Sequence, residues 1–192
     1  MDRLSKINAI VAQHDLNNHP FYQEWVNGTL PVEKLQAYAA DYGHFIGTIA
    51  EGWESMGHAE LAEEEREHEV LWQDFRNSIG AGSDMQYVET EVLVDLALQE
   101  FAQTGKCVGA LYAFEAQQPR TSASKLAGLE KFYSVDTAGK KYFEVHANDI
   151  REVEILDAAL LKMSDEEFGM ASDSCEKICK AMWLALDGVY QA

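Results

Sequence analysis

Apolar residues recur at intervals of three and four through nearly the whole chain, and no stretch alternates apolar and polar residues for long. This spacing lines up apolar side chains on one face of an α-helix, whereas a half-buried strand needs a period of two. Pro20, Gly28 and Pro119 interrupt the pattern and end helical segments. The sequence therefore predicts an all-α protein of seven to nine helices without strands.

The 192 residues contain no internal repeat and no shift in composition, so we expect one domain over residues 1–192. A hydrophobic fraction of 47% with only three prolines suits a compact helical protein. Two helices are predicted at defined positions: one from Met85 to about Gln103, after a Ser83–Asp84 cap, and one long helix from Ala138 to Lys162.

Net charge excludes several classes of partner. The formal charge is −18, which provides no electrostatic basis for binding nucleic acid or an anionic membrane. The chain has no apolar run long enough for a membrane span, and its first residues lack the apolar core of a signal peptide. Three cysteines, an odd number, argue against a disulfide framework. We therefore expect a cytoplasmic protein.

The segment after His58 carries the first candidate metal ligands. Its apolar positions and several polar ones fall on one helical face: Leu61, Glu64, Glu65, His68, Leu71, Trp72 and Phe75. A buried face of this kind points His68 and one of Glu64 or Glu65 into the core, where both can reach one metal from adjacent turns. We select Glu64, one turn before His68. The alternative is a buried histidine hydrogen-bonded to a carboxylate, with solvated neighbours.

Two further segments supply carboxylates and a second imidazole. Glu115 lies in an otherwise apolar helix, where a lone carboxylate needs a cation or a strong hydrogen-bond partner. His146, Asp149 and Glu152 follow at intervals of three, so on one ideal helix they drift apart by about 60° per step. His146 and Asp149 can share a metal, whereas Glu152 requires a local change in the helix.

Together these segments predict a two-metal centre. Carboxylates and histidines from facing helices form the ligand shell of di-iron and di-manganese proteins. Hard oxygen ligands combined with imidazole suit iron or manganese better than copper or structural zinc. The predicted ligands are Glu64, His68, Glu115, His146, Asp149 and Glu152.

Several stretches of the chain also resemble a known family. They are His19 to Trp25 with Gly28–Leu30, His68 to Phe75, Leu111 to Pro119 with Lys125 and Gly128–Leu129, and Tyr142–Phe143 followed by His146. Their order and spacing are similar to the CADD-like group (Chlamydia protein associating with death domains) of heme-oxygenase-like di-metal oxidases. The resemblance covers most of the chain, including Lys125 ten residues after Glu115.

The resemblance implies a heme-oxygenase-like bundle of about seven helices that binds two metal ions, Fe/Fe or Mn/Fe, and no haem. It implies O2 as co-substrate, an external reductant, and para-aminobenzoate synthesis for folate. In that group a tyrosine of the protein itself is the aminobenzoate precursor and a lysine is implicated as amino donor. The matching residues are Tyr22 and Lys125. We also predict that Tyr142 is a catalytic residue, which either relays electrons or lines the pocket.

The chain departs from the family pattern in its last metal-binding segment. That pattern is His, then Asp one turn later, then a second His. Here Asp149 follows His146 one residue early, and Glu152 stands where the second His would be. A carboxylate in place of an imidazole makes the centre more anionic, which either favours manganese or leaves one metal weakly held.

Three other functions remain open from sequence. A di-metal oxidase can act on an external small molecule by desaturation, C–C cleavage or N-oxygenation. A thiaminase-like hydrolase needs an activated cysteine, and Cys107, Cys175 and Cys179 lack an evident paired base. A non-catalytic interaction protein leaves the predicted ligand set unexplained. We expect no nucleic-acid or membrane partner, with a homodimer as an open alternative to a monomer.

Overall fold

The computed structural model describes residues 2–192, and within this range it has helices and no strands. The helices are α1 Arg3–Gln13, α2 Pro20–Asn27, α3 Val32–Ile46, α4 Ile49–Ser55, α5 Ala59–Ser78, α6 Val88–Phe101, α7 Thr104–Glu115, α8 Gln118–Phe132, α9 Thr137–His146, α10 Arg151–Lys162 and α11 Asp165–Gln191, with a short 3₁₀ turn at Leu16–Asn18. The all-α class is confirmed. The number of segments exceeds seven because short breaks interrupt several bundle helices.

Side-chain and glycine caps fix many of these ends. Asp2 and Asp136 accept backbone N–H bonds at the starts of α1 and α9, and Ser164 forms a capping box with Glu167 at the start of α11. Gly28 ends α2 in the left-handed region at φ 72°, where a residue without Cβ is unstrained. These local signals set the lengths of the helices that build the bundle.

Helix α7 is the central element of the bundle. Every residue from Cys107 to Glu115 is buried, and α7 packs most extensively on α11. The two backbones approach closely because Gly109 faces the backbone of Ala171, leaving no room for a side chain there. Glu115, at the carboxyl end of α7, is thereby carried into the interior.

Helix α6 begins later than predicted. The sequence predicts a start at Met85, whereas the structure begins the helix at Val88. The buried carboxylate of Asp41 accepts hydrogen bonds from the backbone N–H groups of Gln86 and Tyr87, at 2.8 and 3.0 Å. These bonds hold the preceding segment in an extended conformation, so a contact from α3 overrides the Ser83–Asp84 cap.

The long helix predicted from Ala138 to Lys162 is wrong, because the structure divides it into α9 and α10. Residues 147–150 are non-helical, and Asp149 Oδ1 accepts the backbone N–H of Arg151 at 2.9 Å, at the start of α10. The break changes the direction of the residues after His146. Within residues 2–192 no helix has both the length and the apolar character needed to cross a membrane.

The contact between α7 and α11 gives a stability prediction. Gly109→Ala is expected to lower the free energy of unfolding by about 2 kcal/mol or more, because the added methyl group would overlap the Ala171 carbonyl and force the helices apart. Gly169→Ala on α11 is the matched control. An added Cβ at Gly169 meets nothing within 4 Å, so the variant should gain about 0.5–1 kcal/mol of helix propensity. Urea denaturation measures the free energy of unfolding of both variants. If Gly109→Ala were as stable as wild type, the close approach of α7 and α11 at Gly109 would be contradicted.

Candidate metal centre

Side chains from α5 and α9 meet in a compact cluster of potential ligands. One ligand atom from each of Glu65, His68 and His146 lies within 4.8 Å of the other two. The two imidazole rings are 4.5 Å apart between centroids, inclined at 65°. The helices bring together the two predicted histidines and a carboxylate, the combination that binds first-row metals in helical bundles.

Both histidines present a buried nitrogen without a hydrogen-bond partner. His146 Nδ1 is 2.7 Å from the Tyr142 carbonyl oxygen, which can only accept, so Nδ1 carries the proton and the unpartnered Nε2 carries a lone pair. His68 Nδ1 lies 3.4 Å from Glu65 Oε1, within ion-pair range, yet it makes no hydrogen bond. His146, oriented by one nitrogen and free at the other, has the usual arrangement of a metal ligand.

The surroundings act differently on the two imidazoles. Burial lowers the pKa of His146 to about 4, and the neighbouring His68 reinforces the effect. Burial also opposes protonation of His68, but the nearby carboxylates of Glu65, Glu152 and Glu64 outweigh it and raise the pKa of that imidazole. His146 is therefore neutral at physiological pH, the state in which an imidazole binds a metal.

Glu115 extends the cluster from α7. Its carboxylate is buried, and Oε1 accepts a hydrogen bond from Trp53 Nε1 at 3.2 Å. Burial raises the pKa of Glu115 well above its usual value, and the charges of Glu65 and Glu152 raise it further. The carboxyls are thus close enough to repel one another, and this repulsion would be relieved by bound cations.

Glu152 lies on the far side of the break between α9 and α10. Its side chain is buried, and Oε1 accepts from Arg151 Nη2 at 3.0 Å. Burial raises the pKa of this carboxyl. Asp149 is half-buried and uses Oδ1 for the N–H of Arg151. Like Glu115 and Glu152, it lies outside the compact cluster of Glu65 and the histidines, and its charge raises the pKa of Glu115.

The structure brings Glu65 to the histidines and places Glu64, the residue selected from sequence, at the surface. Glu64 forms a salt bridge with Arg151, and its side chain is 40% exposed. Glu65 is three residues before His68 and seven before the fully buried Trp72, so the three share the buried face of α5. The sequence signal for this choice was Trp72. So large an apolar side chain marks the centre of the buried face, and Glu65, two turns earlier, lies on the same side of the helix.

The donor set fits the predicted metals. The side chains available to metal ions are the imidazoles of His68 and His146 and the carboxylates of Glu65, Glu115 and Glu152. Oxygen ligands with imidazole suit iron and manganese. The unpartnered imidazole nitrogens and the mutually repelling carboxylates agree with a site built for cations.

A second buried cluster surrounds Lys125 on α8. Lys125 Nζ lies 3.4 Å from Tyr22 Oη and 3.5 Å from Tyr38 Oη, and the two phenol oxygens are 2.9 Å apart. Among residues 2–192 no carboxylate pairs with this amine. Burial lowers the pKa of Lys125 to about 7, so a substantial fraction is uncharged at neutral pH. An uncharged lysine is a nucleophile and a base.

Aromatic rings connect the two clusters. The ring of Tyr142 lies 4.2 Å from that of His146 and 4.9 Å from that of Trp72, and Trp72 lies 5.7 Å from Tyr38. Gln118 Nε2 donates to Tyr142 Oη at 2.8 Å. The predicted catalytic Tyr142 therefore lies between the metal ligands and Tyr22. Sequence reasoning missed Gln118, whose position three residues after Glu115 was the available signal.

The cysteines are poorly suited to nucleophilic catalysis. Cys107, Cys175 and Cys179 are all buried. Burial raises the pKa of Cys107 to about 12, and the hydrogen bond with Cys179 raises that of Cys175, with burial adding to the effect. Neither environment favours the reactive thiolate that a thiaminase-like hydrolase needs.

Comparison with known protein families agrees with this chemistry. Residues 45–184 match the model of a family described as iron-containing redox enzymes, and residues 7–74 match the TENA/THI-4/PQQC family. The 4-aminobenzoate synthase of Nitrosomonas europaea is 29% identical over 97% of this chain and 90% of that protein. The 4-aminobenzoate synthase of Chlamydia pneumoniae is 32% identical over 70% of this chain and 69% of that protein.

Comparison with solved structures confirms the heme-oxygenase-like fold. A domain with that fold from Shewanella denitrificans superposes with a TM-score of 0.84 at 18% identity, over 100% of this chain and 93% of that one. A CADD-like protein from Nostoc punctiforme superposes with a TM-score of 0.65 at 17% identity, over 97% and 95% of the two chains.

The buried amine predicts a specific pH dependence of stability. Above pH 10.5, the usual pKa of lysine, Lys125 is neutral in both the folded and the unfolded chain. As the pH falls to about 7, the unfolded chain binds a proton that the folded protein does not. The free energy of unfolding of the wild type should therefore fall, relative to that of Lys125→Met, by up to about 1.4 kcal/mol for each pH unit between pH 10.5 and about pH 7.

Urea unfolding of wild type and Lys125→Met between pH 6 and pH 10 measures this difference. We expect the free energy of unfolding of Lys125→Met to exceed that of wild type by an amount that grows as the pH falls and levels off below about pH 7. A stability difference that does not change with pH would mean that Lys125 remains protonated in the folded protein.

Proposed function

This chain belongs to the family of iron-containing redox enzymes, and from that premise we propose that it forms 4-aminobenzoate from its own Tyr22, with Lys125 as the amino donor. It is an oxidase of the heme-oxygenase-like type. The relatives named 4-aminobenzoate synthase support the product, and the pairing of Tyr22 with Lys125 supports the source of its atoms.

The metal centre supplies the oxidising power in this proposal. His68, His146, Glu65, Glu115 and Glu152 would hold two ions, Fe/Fe or Mn/Fe, and the bound ions would activate O2 with electrons from an external reductant. The protein contributes ligand placement and a dry interior. Asp149 stays a predicted ligand, and in its present position it accepts the backbone N–H of Arg151.

The contact of Lys125 Nζ with Tyr22 Oη, 3.4 Å apart, is the observation that carries the proposal. A buried lysine without a carboxylate partner is costly for a fold and is seldom retained. Among residues 2–192, its polar neighbours within hydrogen-bond range are the hydroxyl groups of Tyr22 and Tyr38. A nitrogen source and a phenol ring therefore lie together in the buried interior.

Oxidation of Tyr22 from the metal centre requires electrons to cross the space between the clusters. The rings of Tyr142, Trp72 and Tyr38 bridge this space at contacts between 4.9 and 5.7 Å. A phenol that loses an electron also loses its proton. Tyr38 Oη and the neutral amine of Lys125 lie within reach to accept that proton from Tyr22 Oη.

Tyr22→Phe tests the proposed substrate. We expect this variant to bind metal as wild type does, because Tyr22 touches none of the candidate ligands, and to form no 4-aminobenzoate because the phenol oxygen is lost. The measurement is product by liquid chromatography and mass spectrometry after metal reconstitution with O2 and reductant, together with metal analysis. Tyr112→Phe is the control, since Tyr112 is a buried tyrosine bonded to Asn8 and Asp157.

Product yield distinguishes the proposal from oxidation of an external small molecule. A side chain consumed by its own protein yields no more than one product per chain, and the peptide containing Tyr22 should change mass in proportion. Product from Tyr22→Phe at the wild-type level, or many products per chain, would contradict the self-modifying reaction. The first result would leave the oxidase assignment standing.

Lysine labelled with ¹⁵N at the ε-nitrogen tests the amino donor. Protein grown with this label should release 4-aminobenzoate that is heavier by one mass unit, because Lys125 Nζ is the nitrogen nearest Tyr22 Oη. Lys125→Arg, which keeps a basic group of similar length, should stop product formation while metal binding persists. Unlabelled product from labelled protein would exclude lysine as the donor.

A further inference from the structure

Arg151 stands between the metal centre and solvent. Its guanidinium forms a two-point contact with Glu64 of α5, with Nη1 at 3.4 Å from Oε1 and Nη2 on Oε2. Nη2 also donates to Glu152 Oε1 at 3.0 Å. The Glu152 side chain is 9% exposed, whereas those of Arg151 and Glu64 are 48% and 40% exposed. One arginine thus joins a buried candidate ligand to a surface carboxylate.

Arg151 also compensates charge in the centre. Glu65, Glu115 and Glu152 place three carboxyl groups in the interior, with His146 neutral. Of the lysine and arginine side chains in the part of the chain that the structure describes, Arg151 alone pairs with one of these three carboxylates. Without bound metal, its charge offsets part of their mutual repulsion.

Arg151 and Glu152 are neighbours in sequence as well as in space. Arg151 is the first residue of α10 and directly precedes Glu152, whose carboxylate it contacts. The carboxylate and the guanidinium together carry no net charge, so the pair adds no net negative charge to the centre.

We infer that Arg151 is the resident counter-ion of this centre and that metal binding takes Glu152 away from it. A divalent ion bound by Glu152 repels the guanidinium, and Glu64 offers Arg151 a second partner on the solvent side. Arg151 therefore competes with metal for Glu152 and lowers the affinity of the centre for divalent ions. The inference depends on the proposed metal centre.

Manganese binding by metal-free protein tests the inference without reference to catalysis. Arg151→Gln should bind Mn²⁺ with a dissociation constant about tenfold lower than wild type, because a positive charge near the ion and a competitor for its ligand are both removed. The metal-free variant should also melt at a lower temperature than metal-free wild type. Titration calorimetry and thermal unfolding in chelator measure the two effects.

The control is Arg66→Gln on α5. Arg66 is exposed and pairs with Glu54 and Glu63, so this variant removes the same charge from a comparable surface ion pair. Its affinity for Mn²⁺ should equal that of wild type. Arg151→Lys, which keeps the charge, should remain much closer to wild type than Arg151→Gln.

The opposite role, in which Arg151 orients Glu152 as a ligand, predicts weaker Mn²⁺ binding by Arg151→Gln. Weaker or unchanged binding would therefore overturn the inference. If Arg151→Gln does not fold, Glu64→Gln tests the inference instead.

Without the Glu64 carboxylate, Arg151 pairs with Glu152 alone, so Glu64→Gln should bind Mn²⁺ more weakly than wild type. Glu63→Gln should bind Mn²⁺ as wild type does. Equal affinities of the two variants would count against the inference. Absence of Mn²⁺ and Fe²⁺ binding by wild type would overturn the metal centre itself.

Discussion

Repulsion among buried carboxyl groups is the constraint on which the rest of this structure depends. Glu65, Glu115 and Glu152 come from three helices and are all buried. Burial and the charges of Glu65 and Glu152 raise the pKa of Glu115, and burial raises that of Glu152. A fold keeps such an arrangement only when cations or strong hydrogen bonds offset its cost. Trp53 and Arg151 supply part of that compensation, and metal ions would supply the remainder.

The same interior is divided into two environments with different electrostatics. Around His146 lie the Glu65 carboxylate and the imidazole of His68, side chains that can bind cations. Around Lys125 the polar neighbours are phenol hydroxyls, and burial lowers the pKa of the amine. A lysine placed beside the carboxylates would instead be held protonated by an ion pair. The rings of Tyr142 and Trp72 separate the two clusters and so leave the amine among phenol hydroxyls, where its pKa is low.

The sequence predicted the helical class because that class depends on local spacing. Apolar periodicity identified the buried face that carries His68, and the apolar surroundings of Glu115 marked it as a costly carboxylate. The choice between Glu64 and Glu65 required the exact rotation of α5, which Trp72 sets by tertiary packing. The contact between Tyr22 and Lys125 joins residues on α2 and α8, and no local pattern in the chain encodes it.

The break between α9 and α10 shows how one local change redefines a centre. On a continuous helix, His146 and Glu152 would drift apart around the axis, and Glu152 would lie away from the other ligands. The non-helical residues 147–150 turn the chain so that Glu152 is buried beside the cluster and Arg151 reaches across to α5. The same break therefore delivers both a buried carboxylate and the arginine that balances its charge.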